Sequence, residues 1–150
     1  MKRFISVLLL ILTRVSFAAA PSPIDLTPPK TAVPKSYFGI HIHHLWQDTE
    51  WPDLPFGTWR LWDSHTTWAL LEPQRDTYDF ALLDKYVQVA EAHQVELVLT
   101  LAGTPSWASA RPYETPVHEG GVQGASGSAA EPGHSNDWQA FVKTVATRYK

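Results

Sequence analysis

Four side chains carry the clearest chemistry in this sequence: His43, Arg60, Asp63 and Trp107. An imidazole and a carboxylate can hydrogen-bond the hydroxyls of a polar ligand, and a guanidinium can hold a carboxylate in a two-pronged bond. An indole can lie on the apolar face of a sugar ring while its N–H reaches a hydroxyl. Arg60 stands between Trp59 and Trp62. Buried there it would need a partner, because an isolated buried charge costs several kcal/mol even after relaxation. Two readings follow: Arg60 holds a carboxylate that does chemistry, or it forms an ordinary ion pair with Asp63 or Glu72.

His41 and His43 project to one side of an extended chain, since strand side chains alternate with period two. That pair could ligate a metal, bond sugar hydroxyls, or pack in a core. No third ligand stands beside it, so neither a metal nor a cofactor is expected. The remaining carboxylates form no convincing catalytic pair. Glu72 precedes Pro73 in a turn, and Glu114 and Glu119 fall in a long loop. Asp63, Ser64 and His65 are consecutive, which adjacency alone does not make a triad. There is no glycine-rich phosphate motif. No residue of the chain is assigned as the catalytic acid or nucleophile.

These groups need elements to position them. Tyr37 to His44 is rich in aromatic and β-branched residues and reads as a first strand; Thr58 to Asp63 reads as a second. After a bend over Ser64 to Thr77, Asp79 is placed to cap a helix from Phe80 to His93, with Phe80, Leu83, Val87 and Ala90 on one stripe. Val95 to Leu101 then reads as a third strand, apolar enough for burial on both faces. A strand, a helix and a strand form a βαβ unit with parallel strands. Ala108 to Ser135 is a long loop, and Ser135 or Asn136 caps a last helix whose apolar face holds Trp138, Phe141, Val142, Val145 and Tyr149. His43, Asp63 and Trp107 thus sit at or just after the carboxyl ends of strands, where parallel barrels keep their binding groups.

Composition narrows the class. The 150 residues include 44% hydrophobic and 18% charged side chains, ordinary for a folded chain. A net charge of -3 gives no broad cationic field, so neither nucleic acid nor an anionic membrane is an expected partner. With no cysteine there is no disulfide framework, thiolate metal site or cysteine nucleophile. Met1-Lys2-Arg3, the apolar run Phe4 to Leu12 and the small residues up to Ala20 read as a signal peptide over residues 1–18, cleaved after Ala18 or Ala20. Removing it would take Lys2, Arg3 and Arg14 from the 12 basic residues and leave 9 against 15 acidic ones. An exported, periplasmic or extracellular protein is expected. Residues 19–36 hold five prolines and read as a linker.

The run from Trp68 through Glu72-Pro73 to Tyr78-Asp79-Phe80 and Leu83-Asp84 resembles the (β/α)8 glycoside hydrolases of the large retaining clan, among them family 39, cellulase-like family 5 and family 42. The likeness continues through Leu99-Thr100-Leu101, Thr104-Pro105-Ser106-Trp107-Ala108 and Arg148-Tyr149-Lys150, and is strongest to family 39 around Phe56 to Asp63. It covers residues 37–150 and implies an α/β fold: strands one to three of a TIM barrel, incomplete in this chain, since the whole barrel needs about 250 residues. It also implies a carbohydrate substrate and a retaining mechanism with two glutamates, one after strand four and one at strand seven, neither of which this chain holds. Arg60 resembles the strand-two arginine that supports the nucleophile, and Trp107 the aromatic lining a sugar subsite. The chain by itself is expected to be inactive. Two rival expectations are a metal-dependent amidohydrolase-like barrel using His41 and His43, and a barrel that binds sugar without turning it over.

Overall fold

In the computed structural model of the chain, three short strands lie side by side in parallel: β1 (Gly39–Ile40), β2 (Thr58–Leu61) and β3 (Glu96–Leu99). Their order in the sheet is their order in the chain. Gly39 pairs with Thr58 and Arg60 with Val98. The helices are α1 (Trp68–Leu71), α2 (Ala81–His93) and α3 (Ser135–Arg148). The structure describes residues 27–28, 30–115 and 126–150. The leader, half of the linker and Glu119 lie outside these residues. The chain divides into Met1–Thr31 and Ala32–Lys150; in the first unit Thr27, Pro28, Lys30 and Thr31 are exposed.

The second unit begins before Tyr37 because Lys35–Tyr37 forms a 3-10 turn that packs on β2. Gly57 is buried so tightly under it that a Cβ there would meet Ser36 Cα at 2.5 Å. Thr58 Oγ1 also donates to the carbonyl of Ser36 at 3.4 Å. That turn shortens the first strand from the expected Tyr37–His44 to two residues, and a turn beginning at His43 ends the extended stretch. The second strand likewise stops at Leu61, and Asp63 adopts a left-handed φ of 54° that no strand contains.

Alternation along β2 decides what the sheet covers. Trp59 and Leu61 are each 1% exposed and join Leu83, Tyr86 and Ala90 of α2 and Phe141 and Val145 of α3 in one core. Both long helices therefore pack on one face. The other face carries Arg60 and Val98, both exposed. The third strand is accordingly not buried on both faces, as its apolar run predicts: Glu96 and Val98 face out, and Leu97 and Leu99 face the helices.

The expected bend over Ser64 to Thr77 contains the single-turn helix α1, whose Trp68 is fully buried against Phe141, with ring centroids 5.1 Å apart. Helix α2 starts one residue later than expected, with Phe80 at the N-cap position; Asp79 Oδ1 still accepts from Ala81 N–H at 3.0 Å. It ends on Gln94 in the left-handed conformation. In α3, His134 takes the N-cap position expected of Ser135 or Asn136. The described ends of the long loop are tied together by pairing of Ser109 with Pro132 and by Arg111, which bonds both Glu114 and Glu131. Among the described residues no helix is long and apolar enough to cross a membrane.

Candidate active-site face

The open face of the sheet collects the polar side chains. With Gly39 opposite Thr58, period-two alternation carries His41 and His43 to the same side as Arg60 and Trp62. The histidines follow β1 directly, and their rings lie 4.1 Å apart between centroids. His41 Nε2–H donates to the carbonyl of Trp62 at 2.6 Å, which ties the end of β1 to the end of β2. His43 Nδ1–H faces Asp63 Oδ2 at 3.4 Å. Two of the residues singled out in the sequence, His43 and Asp63, are thus brought together.

Among the described residues Arg60 has neither of the ion partners weighed for it from the sequence. It is exposed, and its Nε donates to Thr100 Oγ1 at 3.2 Å on the neighbouring strand. Its guanidinium carbon lies 4.8 Å from the Trp62 ring centroid, the same-face neighbour two residues on. Among the described residues no carboxylate is within ion-pair distance of it, so neither Asp63 nor Glu72 is its partner. The reason is geometric. Asp63 has turned out of the strand to meet His43, and Glu72 is committed to the opposite side of the sheet.

Glu72 is 3% exposed, not a surface turn residue. Its carboxylate accepts from Trp68 Nε1 at 2.7 Å and from the backbone N–H of Asp76 at 2.9 Å. Its own carbonyl accepts from Trp107 Nε1 at 3.0 Å. Trp107 lies on the loop after β3 with its indole N–H already engaged and the Arg75 guanidinium 4.6 Å from its ring centroid. Arg75 in turn bonds Asp137 at the start of α3, with Nη2 3.0 Å from Oδ2. A hydroxyl could meet Trp107 only at its ring. The four residues thus fall into three groups: His43 with Asp63, Arg60 with Trp62 and Thr100, and Trp107 with Glu72.

The turns after β1 and β2 add two more histidines. His44 and His65 have φ of 56° and 58°, left-handed values for which His and Asp are the commoner non-glycine choices. His44 Nδ1–H donates to Gln47 Oε1 at 3.3 Å. The His65 ring lies 3.8 Å from Trp46 between centroids. Burial holds its pKa below the usual histidine value; nearby Asp63 works against that, and His44 adds to it. Ligand atoms of His43, His44 and Asp63 lie within 4.8 Å of one another. The histidine pair singled out in the sequence was His41 with His43, but His41 has spent its Nε2–H on Trp62. The roles of Trp62 and Thr100 were reachable from the sequence, because each lies an even number of residues along a strand from a residue facing the open side.

The family model of glycoside hydrolase family 42, described as beta-galactosidase, matches residues 63–150, more than half of the chain. The chain belongs to this family. The match starts at Asp63 and takes in the Trp68–Glu72 bond, Trp107 and the whole of α3. Beta-galactosidase LacZ of Heyndrickxia coagulans is 32% identical to this family 42 chain over 93 residues, which are 56% of the chain and 14% of the relative. The chain therefore spans about one seventh of the length of that relative. No solved structure matches it. Family 42 was one of the three families that the sequence pattern resembles. Family 39, the nearest in the sequence reading, is not the one whose model matches.

Proposed function

We propose that the full-length protein is an exported glycoside hydrolase that cleaves β-linked galactosides with retention, and that Ala32–Lys150 supplies the first three strands of its (β/α)8 barrel. Two features of the fold support the barrel. The strands follow one another across the sheet without reversal, and α2 and α3 cover the same face. A doubly wound sheet would reverse its order and put helices on both faces. The family match and the beta-galactosidase relative support the substrate class.

The observation that carries the chemical reading is Arg60. It is a cation fixed on the open face by Thr100 and Trp62, with no carboxylate bound to it among the described residues. Retaining hydrolysis places two carboxyl groups about 5–5.5 Å apart. One attacks the anomeric carbon and forms a covalent glycosyl-enzyme while the other protonates the leaving oxygen; the second then takes a proton from the incoming water. Neither glutamate has a counterpart at the matching places in this chain, and both would stand on later strands. Arg60 would bond the nucleophile and keep it ionised. His43 and Asp63 would stand at the mouth of the sugar site.

The test uses the full-length protein with a nitrophenyl β-galactoside. Arg60→Ala should lower kcat by roughly 100-fold or more, with Arg60→Lys recovering only part of it, because a point charge does not reproduce the planar fork. Magnetic resonance of the first product should show the β-anomer. An α-anomer would exclude retention, and unchanged kcat in Arg60→Ala would remove the arginine from the mechanism. Fractionation of cells expressing the full-length protein should find it outside the cytoplasm.

A further inference from the structure

We propose that His43, His44 and Asp63 form a site for a divalent transition metal of the zinc class at the carboxyl ends of β1 and β2. One ligand atom from each residue lies within 4.8 Å of the other two. Two imidazoles and a carboxylate are the donor set that suits zinc and its neighbours, and not the all-oxygen set that magnesium or calcium prefers.

The spacing fits closely at one edge of the triangle. His43 Nδ1 and Asp63 Oδ2 are 3.4 Å apart. Two ligand atoms on a tetrahedral zinc, each about 2.0–2.1 Å from the metal, are separated by about 3.3 Å. A cation entering there replaces the proton between the two atoms, and that proton leaves to solvent. A ring nitrogen of His44 completes the triangle within the same 4.8 Å. Its Nδ1–H is held by Gln47 Oε1, so the lone pair rests on Nε2, and such a bond to the second ring nitrogen is the usual support of a metal-ligating histidine.

The surroundings favour a cation. The three side chains are exposed, and His43 and His44 line a groove of about 630 Å³ together with His41, Asp48 and Glu50 among others, with no lysine or arginine in its lining. The three ligands sit in the turns that follow β1 and β2, and the register of those two hydrogen-bonded strands sets where the two turns begin. With three protein ligands and an exposed position, the fourth place is left to water. The site does not depend on the hydrolase reading, and metal binding is measured without turnover.

The experiment is a calorimetric titration of chelator-stripped, full-length protein with Zn2+, and a parallel titration with Co2+ read by its visible absorption. The expected result is one ion per chain with a dissociation constant in the micromolar range and a tetrahedral Co2+ spectrum. His44→Asn and Asp63→Asn should each weaken binding at least tenfold. Asparagine suits the left-handed backbone at both positions, so these variants preserve the turn. Should one of them fail to fold by circular dichroism, the other carries the test. His41→Ala should leave the affinity within about twofold, since His41 is not a ligand. Absence of binding heat overturns the proposal. So does affinity that survives both asparagine substitutions, which would put the ion elsewhere on the protein.

Discussion

The indole N–H of Trp68 donates to Glu72 Oε2 at 2.7 Å inside the core, one helical turn away along α1. Among the described residues no cation is in contact with the carboxylate. Its charge is met by this N–H and by the backbone N–H of Asp76, while the carbonyl of the same residue receives Trp107. One residue thus fixes the turn that enters α2 and the loop that leaves β3. That is a physical reason for a Trp four residues ahead of the Glu of Glu-Pro in this pattern.

Glu72→Ala should destabilise the full-length protein by about 2–4 kcal/mol, because it leaves the Trp68 N–H buried without a partner and opens a cavity. Trp68→Phe keeps the ring packing but strands Oε2, and should cost about 1–3 kcal/mol. Urea denaturation followed by tryptophan fluorescence measures both. A change below 0.5 kcal/mol on either would mean that the bond contributes little.

Gly57 and Gly39 should respond oppositely to alanine. At Gly57 the new methyl meets backbone atoms of Lys35 and Ser36 at 2.5–2.7 Å, and backbone cannot swing away. The expected loss is about 1–3 kcal/mol, the usual cost of overpacking. At Gly39 the nearest atom is Thr58 Cβ at 3.4 Å, an ordinary contact, so Gly39→Ala should be close to neutral. Thermal melts of the two variants compare them directly.

High pH should unfold the protein through its buried tyrosines. Burial pushes the Tyr86 hydroxyl up to about 12, and burial together with Asp84 does the same for Tyr149. In the unfolded chain a tyrosine ionises near about 10. A group whose folded pKa is raised gives stability that is complete below the unfolded value and is lost as pH rises through the folded one. Stability should therefore fall between about pH 10 and about pH 12. Tyr86→Phe should flatten that slope while losing the bond to the Ser64 carbonyl seen at 3.1 Å. Circular dichroism against pH, with tyrosinate absorbance recorded alongside, tests the order of events.

At the acid end the pair joining α2 to α3 should matter, though modestly. Arg148 and the Tyr149 hydroxyl, in that order, hold the Asp84 carboxyl below its usual value. A depressed carboxylate stabilises above its unfolded pKa, and that stabilisation disappears as pH falls through the lower folded value. The pair is partly exposed and screened by water, so Asp84→Asn should lower the melting temperature at neutral pH only slightly and make it less sensitive to acid. A Tm series from neutral to strongly acid pH at low and high salt checks the sign.

Legible in the sequence are the parallel α/β order, the apolar stripe of α3, Leu83 and Ala90 of α2, and the family pattern from Trp68 to Lys150; in α2 the core takes Tyr86 where the stripe predicts Val87. Each legible feature is a local signal: a period of two or 3.6 residues, or a fixed spacing of residue types. The sequence also placed His43 and Asp63 at neighbouring strand ends, because parallel strands bring their carboxyl ends together. What it did not determine are contacts that depend on how far each strand runs. The left-handed turn at Asp63 sends that carboxylate to His43 instead of Arg60. Burial of α1 turns Glu72 from a turn residue into a core acceptor, and the indole N–H of Trp107 goes to Glu72. These were decided only by tertiary structure. Hydrogen-bond partners are chosen by which groups end up within 3 Å or so in the packed chain, and residue spacing along the sequence does not encode that distance.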